Sequence, residues 1–207
     1  MKKVITASVL GMGASLAMVI PSYGQGTVFF GNYAPGSGVN APVTFAVAGT
    51  ANGNAVTAGE AVGSEFMAGL LYSLDGGTTW KTDTAANSGA YPAPFYSTDG
   101  NAGGGAGYFG IGSTVTLPSW TSGSVEFIVQ AWFGGATYAA SQSNPAGWFG
   151  ASAPVTVPGT SIGSGTTPPG YLTGLSGFTV SPVPEPTSLA LAGLGGLSLL
   201  AFRRRKA

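Results

Sequence analysis

The sequence predicts an all-β protein, and three observations support that prediction. Glycine and proline are frequent, with 36 and 14 copies among 207 residues. Residues 25–181 lack the regular three-to-four-residue spacing of apolar side chains that is typical of an amphipathic helix. Short runs rich in β-branched and aromatic residues instead alternate with turn-forming residues. We therefore predict an antiparallel β-sandwich for residues 25–181, with one apolar helix near each end of the chain.

Eight segments are predicted to be β-strands, because each concentrates β-branched or aromatic residues between turn signals. They are Thr27–Tyr33, Val43–Val47, Glu65–Leu74, Tyr108–Ile111, Thr114–Leu117, Ser124–Phe133, Ala153–Val157 and Ser176–Val180. Every second residue from Val125 to Ala131 is apolar, so one face of that strand should be buried. A part of about 150 residues can hold one hydrophobic core. A β-solenoid is the alternative, but no fixed repeat period runs through residues 25–181.

The residue types that are missing exclude several chemistries. The chain has no histidine and no cysteine. It therefore lacks the residues for Ser-His-Asp or Cys-His catalysis, for a zinc site of the usual kind, for an iron–sulfur cluster and for disulfides. Charged residues make up only 7% of the chain, whereas a nucleic-acid-binding protein needs a basic face to neutralise phosphates. We expect no cofactor, no metal site and no nucleic-acid partner.

The charged residues are unevenly distributed along the chain. Seven basic and seven acidic residues give a net charge of zero. Lys81 is the only basic residue between Lys3 and Arg203. The acidic residues within residues 25–181 are Glu60, Glu65, Asp75, Asp83, Asp99 and Glu126. The neutral total therefore conceals two basic ends and an acidic middle.

Residues 1–24 are typical of a secretory signal peptide. Lys2 and Lys3 precede the apolar stretch 4–20, and Pro21 ends the predicted helix. Small residues then fit a cleavage before Gln25. An uncleaved membrane anchor is the alternative. In either case we expect the central part of the chain to be exported.

The C-terminal end combines a Pro-Glu-Pro tripeptide, an apolar segment and a basic cluster. The tripeptide is Pro184-Glu185-Pro186, and Ser188 to Phe202 form a run of 15 uncharged residues. The cluster consists of Arg203, Arg204, Arg205 and Lys206. A helix of about 22 Å is shorter than a roughly 30 Å hydrocarbon core, so crossing requires flanking residues or a thinner bilayer. The basic cluster should remain cytoplasmic, which predicts a body outside and a minimal tail inside.

These features, in this order, closely resemble the PEP-CTERM sorting signal of Gram-negative bacteria. The resemblance covers residues 182–207 and implies that Leu189 to Phe202 form a short transmembrane helix. It also implies cleavage near the tripeptide by an exosortase, a transient inner-membrane anchor, and transfer to the cell surface or extracellular matrix. An ordinary single-pass anchor is the alternative. The tripeptide is in both cases acted upon by another protein, so its residues are not catalytic.

Residues 73–80 fit the Asp-box pattern Ser-x-Asp-x-Gly-x-x-Trp through Ser73, Asp75, Gly77 and Trp80. The pattern resembles that of sialidases and other β-propeller proteins, which implies an Asp that caps a hairpin turn, a Gly with positive φ and a Trp packed beneath. One copy cannot build a propeller, and no sialidase-like catalytic constellation accompanies it. We interpret the segment as a hairpin, with a binding role for Trp80 as the alternative.

The segment 97–105 is a polar, glycine-dense loop. Asp99 and Asn101 could supply oxygen ligands to Ca²⁺. The spacing of an EF-hand is absent, and only one carboxylate lies in the segment. We therefore predict a plain loop, and Ca²⁺ binding remains the open alternative.

Aromatic residues have two possible roles in the central part, core packing or stacking on sugars. The residues concerned are Trp80, Trp120, Trp132, Trp148, Tyr91, Tyr96, Tyr108 and Tyr138. We favour core packing. The segments 131–138, 147–150 and 153–157 resemble a body that recurs in PEP-CTERM proteins, which implies an extracellular all-β module.

These observations favour a non-enzymatic surface or matrix protein that is either structural or associated with exopolysaccharide. A carbohydrate-binding or ice-binding module is the alternative. A glycosidase is a further one, because glycoside hydrolysis needs two carboxylates and neither His nor Cys.

Overall fold

A computed structural model describes residues 25–83, 91–97, 105–110, 114–165 and 167–184. The predicted signal peptide, the apolar C-terminal segment and most of the loop 97–105 lie outside these residues. Strands and turns dominate the described part, which confirms the all-β prediction. Within these ranges, no helix is both long enough and apolar enough to span a membrane.

The described residues form fifteen short strands and one α-helix. The strands are β1 (Gly26–Phe29), β2 (Tyr33–Ala34), β3 (Val39–Asn40), β4 (Val43–Phe45), β5 (Gly49–Ala51), β6 (Asn54–Val56), β7 (Met67–Ser73), β8 (Lys81–Thr82), β9 (Ala93–Pro94), β10 (Thr114–Leu117), β11 (Val125–Phe133), β12 (Trp148–Ala151), β13 (Val155–Val157), β14 (Gly170–Tyr171) and β15 (Phe178–Pro182). The helix, α1, spans Tyr138–Gln142, and 3₁₀ turns span Pro35–Ser37 and Gly159–Ser161.

A larger and a smaller sheet organise these strands. The larger sheet has the order β4-β15-β12-β11-β7-β8, with β13 also pairing with β11 and β9 with β7. The smaller sheet has the order β10-β1-β14, and β2·β3 and β5·β6 form two-stranded ribbons. β11 is the long strand of the larger sheet. On one side its first half pairs with β13 and its second half with β12, and on the other side it pairs with β7.

Two strand pairs are parallel, so the predicted antiparallel pairing holds for most of the described strand pairs but not for all of them. β14 runs parallel to β1, and β15 runs parallel to β4. The other nine pairs of named strands in the described part are antiparallel. Parallel neighbours need long connections, and both parallel pairs join strands that are far apart in the chain. The alternation of side chains within a strand carries no information about the direction of its neighbour.

One hydrophobic core unites the two sheets. Val28 and Leu117 of the smaller sheet belong to the same buried cluster as Phe127 of the larger sheet. The alternation predicted from Val125 to Ala131 is confirmed, because the four residues at every second position are buried. Face-to-face packing of the sheets as a sandwich stays a prediction.

The predicted first strand, Thr27–Tyr33, is interrupted by a buried asparagine. β1 ends at Phe29, and Asn32 has no solvent exposure. Its side-chain Nδ2 donates hydrogen bonds to the carbonyl oxygens of Ala41 and Gly107 at 2.7 and 2.8 Å. These bonds link Asn32 to one carbonyl nine residues away and to another 75 residues away, and nothing in the local sequence indicates them.

The predicted strand Tyr108–Ile111 is not formed over residues 108–110, and Ile111 lies outside the described residues. Phe109 makes only an isolated bridge, to Phe95. Its amide donates instead to Oδ1 of Asn32 at 2.8 Å. The β-branched and aromatic content was therefore misleading here, because a buried side chain takes the backbone group that a neighbouring strand would use.

Candidate functional site

The predicted tail begins where the last strand of the described part ends. Within β15, Ser181 and Pro182 pair with Phe149 and Trp148 of β12. One residue further, the Val183 amide donates to the carbonyl oxygen of Gly147 at 2.9 Å. Pro184, the first residue of the predicted tripeptide, follows immediately and ends the described part. Glu185, Pro186 and the basic residues Arg203, Arg204, Arg205 and Lys206 lie outside it.

The strand that leads to the tail is held inside the larger sheet. β15 pairs with β4 on one side and with β12 on the other. In β12, next to β15, Trp148 is 2% exposed and packs edge-on against Phe45, with ring centroids 5.0 Å apart. Its indole Nε1 donates to the carbonyl oxygen of Thr50 at 3.1 Å. The chain therefore leaves the sheet from a packed position.

The Asp-box-like segment connects β7 to β8 at the opposite end of the sheet. The Ser73 hydroxyl donates to Asp75 Oδ1 at 2.6 Å and accepts from the Gly77 amide at 2.9 Å. Asp75 Oδ1 also accepts from the Thr79 amide at 2.8 Å. The bond from Ser73, followed by that from Thr79, lowers the pKa of Asp75 to about 2. Gly77 has a φ of 81°, a conformation that favours glycine.

Trp80 is the last residue of the connection between β7 and β8, and it lies half-buried beside Gly77. The next residue, Lys81, pairs with Tyr72 across β7 and β8. The arrangement is that of a hairpin whose turn is held by side-chain bonds to its own backbone. A binding role for Trp80 stays a prediction.

A cleft of about 380 Å³ lies on the outer face of the larger sheet. Gln130 and Trp132 reach it because they alternate along β11 with residues of the buried face. Tyr91 and Pro92 line it from the segment before β9, and Tyr138 lines it from α1. Residues from three separated parts of the chain therefore meet at this cleft.

The shape of the cleft depends on a missing side chain in β7. A Cβ atom at Gly69 would lie 2.8 Å from both the Trp132 ring and the Tyr91 hydroxyl. Without one, both groups can lie against the β7 backbone, and the Leu70 amide donates to the Tyr91 hydroxyl at 3.3 Å. Trp132 is only 3% exposed and meets Tyr138 edge-on at 6.3 Å.

The described residues that line the cleft carry no charge at neutral pH. Burial raises the pKa of Tyr91 and of Tyr138, and the charge of Asp83 raises that of Tyr91 further. Both phenols therefore stay protonated and can donate hydrogen bonds. The residues that line the cleft in the described part include no Asp, Glu, Lys or Arg. Nor do the described residues contain a group of three or more potential metal ligands.

The structure separates the aromatic residues that the sequence had grouped. Trp120 and Trp148 belong to the buried core cluster, which confirms core packing for these two, whereas the buried Trp132 lies outside that cluster and lines the cleft. Tyr91 and Tyr138 line the cleft, but no sequence signal pairs them with each other or singles out Gln130. The Ca²⁺ alternative for Asp99 and Asn101 falls on residues outside the described part.

Directly after the last described strand, the sequence continues into a tripeptide, an apolar segment and a basic cluster, which is the order of features in a C-terminal sorting tail. A comparison with protein-family models identifies this tail as a PEP-CTERM protein-sorting motif, at residues 182–206. The predicted resemblance is thereby confirmed, and the motif indicates export toward the cell surface and processing by an exosortase. Comparisons with curated proteins and with solved structures found no match.

Proposed function

We propose that the protein is a non-enzymatic component of the cell surface or extracellular matrix, anchored in the inner membrane until its tail is processed. The observation that carries this proposal is the position of the sorting motif relative to the sheet. Within the described residues, the last backbone hydrogen bond that continues the β12–β15 pairing is made by the Val183 amide, one residue before the tripeptide. Cleavage after Pro184 would therefore remove no strand of the described fold.

The anchoring step rests on the order of features at the two ends of the chain. An N-terminal signal peptide would export the body, and the apolar segment 188–202 would stop in the membrane with Arg203 to Lys206 on the cytoplasmic side. At most about 20 Å of extended chain separates Val183 from Leu189. The exosortase would therefore act close to the folded body.

The positions of the acidic residues support a non-enzymatic protein over a glycosidase. A glycosidase needs two carboxyl groups about 5 to 9.5 Å apart on either side of the scissile bond. No acidic side chain is among the described residues that line the cleft. Asp75 is engaged in its own hairpin, and Asp83 is fully buried. This placement favours binding or a structural role over hydrolysis.

The sorting proposal is tested by exchanging the acid of the tripeptide. We expect Glu185→Gln, or deletion of Arg203 to Lys206, to leave most of the protein unprocessed in the inner membrane. Cell fractionation with intact-mass measurement of each fraction would show the cleavage positions and any added lipid or glycan. Glu60→Gln is the matched control, because Glu60 is exposed on the body and should sort normally. Normal processing of both tail variants would contradict the proposal.

A further inference from the structure

We propose that the outer cleft binds a neutral hexose unit of a polysaccharide. The inference rests on the proposed function only for the source of the ligand, because a matrix protein meets polysaccharide at the cell surface. Its structural support is a combination of aromatic surface, polar groups without a partner among the described residues, a described lining that carries no charge, and limited volume.

The aromatic surface comes from two tyrosines on different elements. Tyr91 and Tyr138 are both half-buried, so each ring is partly covered by the protein and partly open. Sugar rings present faces of C–H groups that pack on aromatic surfaces, whereas their hydroxyl groups point outward to polar partners. A cleft with tyrosines on separate segments suits a flat ring of this kind.

The polar groups are neutral, and several have no partner in the described part of the chain. Gln130, Tyr138 and Thr82 line the cleft, and their side-chain polar groups make no hydrogen bond to other described residues. An amide and two hydroxyls both donate and accept, which matches the hydroxyl groups of a sugar. A purely apolar ligand would leave the half-buried amide of Gln130 without a partner, at a cost in affinity.

The charge distribution selects against acidic sugars. The described lining has no cation to pair with a carboxylate. A hexose is therefore favoured over a uronic acid.

The volume limits the ligand to a small unit. Ligand pockets span about 300 to 1,000 Å³. At about 380 Å³ the cleft lies at the small end of this range. It suits one sugar residue of a polymer whose neighbouring residues remain outside.

The test uses the full chain in phospholipid nanodiscs on an array of neutral hexose oligosaccharides and uronic-acid oligosaccharides, with calorimetric titration of the bound oligosaccharide. We expect binding to neutral hexose oligosaccharides and none to the uronic-acid ones. Gln130→Met retains the bulk of the side chain but removes its polar groups, and should weaken binding about tenfold. Tyr138→Ala should abolish it.

Gln142→Met is the matched control, because Gln142 is exposed on α1 and does not line the cleft. It should bind like the wild type. The proposal is overturned if no neutral oligosaccharide binds, if uronic-acid oligosaccharides bind better, or if Gln130→Met binds as well as Gln142→Met. Cleft variants should be processed normally at the tail, so a failure here is distinguishable from a failure of the sorting proposal.

Discussion

The two ends of the larger sheet are stabilised in different ways. At one end, the hairpin between β7 and β8 is held by bonds among residues no more than four positions apart, from Ser73 to Thr79. At the other end, Trp148 contacts Phe45 and bonds to Thr50, which lies 98 positions away. The hairpin is mostly exposed, whereas the end that leads to the sorting motif is packed around a buried indole.

This difference shows which of the two ends of the sheet depends for its stability on contacts made by the whole fold. The hairpin turn can be specified by its own short sequence, because its donors and acceptors are neighbours in the chain. The end of the sheet that leads to the sorting motif forms only when β15 has paired with β4 and β12. We therefore expect substitutions at that end to destabilise the body far more than substitutions in the hairpin.

The largest effect is expected for Trp148→Ala. Removal of this buried ring would leave a cavity against Phe45 and lower the free energy of unfolding by about 3 to 5 kcal/mol. Urea unfolding followed by circular dichroism measures the loss. Trp148→Phe, which retains part of the ring packing, should lose less. A loss below about 1 kcal/mol in Trp148→Ala would contradict the expectation that the β15 end of the sheet depends more on tertiary packing than the hairpin does.

An intermediate effect is expected for Ser73→Ala. The buried hydroxyl serves both Asp75 and Gly77, so its removal should cost about 1 to 2 kcal/mol in the same unfolding experiment. The control is Thr78→Ala, because that hydroxyl bonds to the Asp75 carbonyl on the exposed side. Thr78→Ala should change stability by no more than about 0.5 kcal/mol. Equal losses in both variants would argue against a special role for Ser73.

The smallest effect concerns the charge of Asp75 and depends on pH. Its pKa is about 2 in the folded protein and 3.8 ordinarily, so its stabilising contribution is complete above about pH 4 and disappears as pH falls through 2. Asp75→Asn should therefore have a slightly lower melting temperature than the wild type at pH 7. This difference should shrink at pH 2.5, and a difference that grows on acidification would contradict the assignment.

Local sequence predicted some strands well and others poorly, for a physical reason. Thr114–Leu117 was predicted with its correct bounds, because its alternation matches one buried face of a strand. Strands of two or three residues, such as β2 and β3, carry too short a pattern to detect. Trp148–Ala151 was missed because its two aromatic residues are adjacent and a glycine follows them, so the strand has no apolar alternation.

The candidate sites differ in the same way. The sorting motif occupies one continuous segment, so its order of residues could be read directly and was confirmed at residues 182–206. The cleft joins Tyr91, Gln130 and Tyr138, and depends on the absence of a side chain at Gly69. No pattern within a single segment predicts that these residues lie close together in the fold.

The sequence by itself determined the all-β class, the absence of His and Cys chemistry, and the C-terminal sorting motif that indicates export toward the cell surface. These follow from composition and from contiguous motifs, which act through residue type and short spacing. Only the tertiary structure decided the two parallel strand pairs, the burial of Asn32, the attachment of the tail to the sheet and the uncharged cleft. Each of these depends on contacts between segments far apart in the chain, and such contacts arise from burial and backbone hydrogen bonding across the whole body.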